Sequence, residues 1–73
     1  MINEQERSRI ANRIQELRKT KNMSQDELAV RSGLHRPHIS RIEKGAYSIT
    51  LETLSAVANA LGCTVELVEK TGQ

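Results

Sequence analysis

A chain of 73 residues with 37% hydrophobic residues, one aromatic and one cysteine has room for a single small domain with an aliphatic core, and its lone cysteine excludes an internal disulfide or a cysteine-paired metal site. The charged opening run MINEQERSRIANRIQ has neither the apolar stretch of a signal peptide nor that of a membrane span, so a reducing cytoplasm is the expected location and no membrane the expected partner. Formal net charge is only +2, yet residues 1–44 hold ten Lys/Arg against six Asp/Glu and residues 45–73 hold one against three, an asymmetry that turns the first part of the chain toward a polyanion.

Asn3 followed by Glu6 suits a helix start, and Ile10, Ile14 and Leu17 recur at i, i+4 and i+7, which predicts a first helix from about Glu4 to Lys21. Arg7, Arg9 and Arg13 fall on its other sides, in solvent. Thr20 to Met23 is the connection, with Met23 placed to pack over Leu28. Ser24 and Glu27 have the spacing of a capping box, in which the hydroxyl accepts from the Glu27 amide and the carboxylate accepts from the Ser24 amide. The second helix stops near Ser32, because Gly33 is free to take the left-handed conformation that ends a helix. A third helix runs from about Arg36 to Lys44. Pro37 is tolerated in its first turn, where an amide hydrogen has no intrahelical partner, and Gly45 closes it. Two short amphipathic helices on either side of a tight turn make a helix-turn-helix.

After the loop 46–49, Thr50 caps a fourth helix with Leu51, Leu54, Val57, Ala58 and Leu61 on one face and Gly62 beyond its end. In the tail, Cys63, Val65 and Leu67 alternate with Thr64, Glu66 and Val68. That is a strand pattern, although Thr64 equally suits the cap of one more helical turn. A lone strand leaves its backbone groups unpaired, and its most economical partner is the same strand of a second molecule across a two-fold axis, with Val65, Leu67 and Val68 as the dimerising residues. The expected fold is therefore all-α: a compact four-helix bundle around a central helix-turn-helix in residues 1–62, followed by a dimerising tail in residues 63–73.

Gln25, Leu28-Ala29, Gly33 and the run Ile39-Ser40-Arg41-Ile42-Glu43 before Gly45 resemble the DNA-binding domain of the phage repressor and Cro class, the xenobiotic-response-element type of bacterial regulator. The likeness extends from about Ile10 to Gly62 and implies a lambda-repressor-like fold. It also implies an ion pair between Arg18 and Glu43. Glu43 lies near the inward arc of Ile39 and Ile42, where an unpaired carboxylate is costly to desolvate. Ile49 replaces a frequent proline of the family, a departure that touches only the rigidity of the loop.

With Ile39 and Ile42 inward, Pro37, Ser40, Arg41 and Lys44 fall on the opposite side of the third helix, flanked by Arg36 and His38. This is the surface that a helix-turn-helix presents to the major groove of double-stranded DNA. Arg36, Pro37, Ser40 and Arg41 are the candidate base contacts. Arg41 leads, since a guanidinium can donate to both O6 and N7 of guanine; for either arginine the alternative is a phosphate contact. Candidate phosphate contacts are Ser24 and Gln25 at a helix N-terminus, the latter by resemblance, together with His38, Lys44, Tyr47 and Ser48.

His35, His38 and Cys63 are too dispersed for a metal site, no cofactor is implied, and no nucleophile stands with a base and an acid, so an enzyme is not expected. The expected function is a homodimeric, sequence-specific transcriptional repressor reading an inverted repeat. The alternative is the antitoxin of a toxin-antitoxin pair, which binds a toxin protein and represses its own operon.

Overall fold

The computed structural model describes residues 4–46 and 48–71. Four helices follow one another: α1 (Glu4–Thr20), α2 (Gln25–Ser32), α3 (Arg36–Glu43) and α4 (Leu51–Ala60). Among the described residues there is no strand, and the architecture is an all-α bundle in which α2 packs on both α3 and α4 while α1 packs on α3. No helix among these residues is long and apolar enough to cross a membrane. The expected pairing of Asn3 with Glu6 lies outside the described residues.

The apolar periodicity produces one core. Ile14, Met23, Leu28, Ala29, Ile39, Ile42, Val57 and Leu61 are buried together, and Ile10, Leu17, Leu34, Ile49 and Leu54 pack around them. Leu28, Ile39 and Val57 have no exposed surface at all. Each helix contributes its inward stripe, which is how a chain with so few aromatics can exclude water from its centre.

Helix ends follow local chemistry, with four differences from expectation, one of them that α3 ends at Glu43 with Lys44 as its C-cap, one residue short of the expected end. α1 ends at Thr20, one residue early, and Asn22 adopts a positive φ of 55° in the connection, a conformation that asparagine tolerates better than most residues. Ser24 Oγ accepts from the Glu27 amide at 3.0 Å, but the second half of the capping box is replaced: the Glu27 carboxylate accepts from Arg31 Nη2 at 2.9 Å. A charged partner one turn along the same face competes with the neutral amide. Leu51, expected on the buried face of α4, is 68% exposed, because as the first residue of the helix it projects past the edge of the core.

Gly33 takes a φ of 75°, and the next amide, that of Leu34, donates to the Ala29 carbonyl at 2.9 Å, closing α2. Gly45 has a φ of 66° and lies against α1, where an added Cβ would sit 3.6 Å from Ala11 Cβ, from the Arg7 carbonyl and from Ser8 Cα.

The tail differs most. Residues 63–70 form neither a strand nor a helical turn. Cys63 and Ala58 are joined by a backbone bond of 2.8 Å, after which the chain runs on without a ladder. Among the described residues of one chain there is no strand for residues 63–68 to pair with, and the alternation alone supplies no backbone partner.

Candidate nucleic-acid interface

The exposed side of the α2–α3 pair is set from below by one buried carboxylate. Glu43, at the end of α3, has a side chain only 1% exposed. Arg18 of α1 donates to it twice, Nε to Oε2 at 2.6 Å and Nη2 to Oε1 at 3.1 Å, in the planar fork that suits a guanidinium and a carboxylate. A third Arg18 nitrogen, Nη1, donates to the Met23 carbonyl at 2.8 Å, just before α2 begins. Gln25, the first residue of α2, donates from Nε2 to Glu43 Oε1 at 3.0 Å. The charge is thus satisfied by three N–H groups, and the same bonds tie α1, the start of α2 and the end of α3 together.

Above this network, the starts of α2 and α3 open on one side. Gln25, Arg36, Pro37 and Ser40 surround a shallow depression of about 220 Å³. Arg36, Pro37, Arg41 and Lys44 are exposed, while Ser40 and His38 are half-buried. The outward face of α3 therefore carries basic side chains, and its own acid, Glu43, is turned inward. Free amides at the start of α2 add partial positive charge next to it.

The structure brings Gln25 together with three of the four candidate base contacts. Arg41 and Lys44 follow on the same helix. Ser24 is exposed beside Gln25, its hydroxyl already capping α2. Ser48 is not part of this depression. It borders a different cavity, of about 300 Å³, with Arg7, Ile10, Ile42, Ile49 and Leu54. Tyr47 lies outside the described residues. His35, His38 and Cys63 do not assemble, and no group of three potential metal ligands exists among the described residues.

One residue on this side escapes a reading of the sequence. Asp26 Oδ1 stands 3.7 Å from Arg36 Nε. In sequence Asp26 looks only like an acid complementing the start of α2, and its nearness to Arg36 depends on the angle across the turn.

Residues 14–68 match the family model described as helix-turn-helix. The chain belongs to this helix-turn-helix family, in its phage repressor and Cro class. Among its relatives, the control protein C.SmaI of Serratia marcescens is 39% identical over 56 residues, 77% of this chain and 67% of that protein. The immunity repressor protein of Bacillus phage phi105 is 37% identical over 59 residues, 81% of this chain but 41% of that protein. The fold is similar to that of a mutant of the restriction-modification controller protein C.Esp1396I, with a TM-score of 0.76 and 31% identity over 80% of this chain and 75% of that one. A DNA-binding transcriptional regulator is the class that these helix-turn-helix relatives share.

Proposed function

We infer that this protein is a homodimeric repressor that reads an inverted-repeat operator in double-stranded DNA, with α3 in the major groove. The observation that carries this reading is the grouping of Arg36, Pro37 and Ser40 beside the N-terminus of α2, with Arg41 further along the same exposed helix. Arg36 and Arg41 read guanine, Pro37 and Ser40 contact neighbouring base edges, and Ser24, Gln25, His38, Lys44, Tyr47 and Ser48 hold phosphates. Gln25 is supported in that role by its bond to Glu43, which keeps it at the mouth of the depression.

The tail supplies the dimer. Val65, Leu67 and Val68 are 43%, 100% and 82% exposed. Apolar surface of this kind is covered when residues 63–73 pair with those of a second copy, antiparallel across the two-fold axis. Similarity to a protein named as a restriction-modification controller supports a chain that governs genes of that kind over an antitoxin.

Selection of bound duplexes from a random DNA pool tests the whole reading. The expected product is an inverted repeat with half-site centres about 10 base pairs apart. Folded protein that enriches no sequence would overturn it.

A further inference from the structure

This inference rests on the reading of α3 as the groove-facing helix. Asp26 and Arg36 form an ion pair that joins α2 to α3 on the exposed side. Both side chains are open to solvent, 73% and 64% exposed. The adjacent acid, Glu27, is engaged one turn along α2 with Arg31 and takes no part.

A carboxylate at this place opposes DNA binding. It subtracts a positive charge from the basic face and stands beside the helix start that attracts phosphate. Its geometry gives it a compensating use. The atom of Arg36 that faces Asp26 is Nε. A guanidinium reads guanine with two N–H groups, one to O6 and one to N7, and an arginine whose Nε side faces a carboxylate, at ion-pair rather than hydrogen-bond distance, keeps its Nη pair for that fork. Were Arg36 to turn onto a phosphate instead, the phosphate would approach the Asp26 carboxylate and be repelled. We propose that Asp26 is a positioning residue for base reading, which holds Arg36 for guanine and disfavours its use as a phosphate contact.

At 3.7 Å and in solvent the pair adds little to folding. Under bound DNA, where water is displaced, the same charges interact more strongly. A substitution of Asp26 should therefore alter base preference while changing stability only by the small loss of a first-turn acid of α2, a loss that the neighbouring Glu27 would share, which separates this role from a structural one.

The test is selection from a random duplex pool with the full-length protein and three variants, Arg36→Ala, Asp26→Asn and Glu27→Gln, followed by affinities on the selected and on random duplexes. Arg36→Ala is expected to lose a guanine preference at one position of each half-site. Asp26→Asn is expected to lose about tenfold of the discrimination at that same position, to bind random duplex more tightly, and to lower its thermal midpoint no further than Glu27→Gln does, since both remove a first-turn acid of α2. Glu27→Gln removes the same charge from α2 away from Arg36 and is expected to keep the preference. If Asp26→Asn retains the full guanine preference and gains affinity equally on all duplexes, Asp26 is a repelling charge only and the proposal fails. If the unsubstituted protein enriches nothing, or Arg36→Ala keeps every preference, the reading of α3 has failed first and Asp26 loses its role with it.

Discussion

At the scale of single residues, Glu43 and Arg41 stand for opposite uses of charge. Glu43 is buried and fully occupied by Arg18 and Gln25. Arg18→Met leaves that carboxylate without its counter-ion, and urea denaturation is expected to show a loss of about 3–5 kcal/mol. Replacing Arg18 and Glu43 together by apolar residues is expected to recover much of it; a double variant as unstable as the single would refute the pairing as the cause. Arg41 is exposed on the outer face of α3. Arg41→Ala is expected to cost about 1–3 kcal/mol on the selected duplex, read by fluorescence anisotropy, and to relax preference at one base pair per half-site. Equal losses on selected and random duplexes would make it a phosphate contact. The inward register of Glu43 is legible in its spacing from Ile39 and Ile42, and the family resemblance points to Arg18. The bond from Gln25 and the approach of Asp26 to Arg36 are not legible, because they depend on how two helices meet across a turn, which neither helical period encodes.

At the scale of elements, the signals nearest the backbone carry furthest. Ser24, Gly33 and Thr50 act where their chemistry places them, since caps and left-handed turns depend on a few adjacent residues. The exchange at Glu27 shows the limit: a side chain with two local partners is decided by their relative strength, which spacing alone does not rank. Ser24→Ala is expected to cost about 1 kcal/mol in chemical denaturation. Glu27→Ala, which loses only an exposed pair one turn away, is expected to cost about 0.5 kcal/mol or less. A larger loss at Glu27 would mean that the reciprocal half of the cap forms in solution. Leu51 and the tail show a second limit. Periodicity says which residues share a face, but not whether another element reaches far enough to cover them.

At the scale of the whole molecule, the basic residues of α3 and the exposed apolar residues of the tail belong to different segments of the chain. The basic residues of α3 face one way, and Val65, Leu67 and Val68 project from a chain segment beyond α4. On the proposed reading, one copy has a DNA-facing side and a partner-facing segment. Leu67→Asp with Val68→Asp is expected to shift the protein toward monomer in analytical ultracentrifugation while leaving the helical circular-dichroism signal intact, since neither residue supports the core. Operator affinity is expected to fall with the loss of dimer. An unchanged association constant would move the interface to another surface, with exposed Leu51 as the next residue to vary. The Arg18–Glu43–Gln25 network bears on what happens before DNA arrives. Because the first residue of α2 donates to the carboxylate of the last residue of α3, the two helices are tied together by a part-buried bond in the unbound chain. On the proposed reading of α3, little ordering entropy would then remain to be lost on contact, and the surface would meet the groove as a rigid template rather than assembling on it.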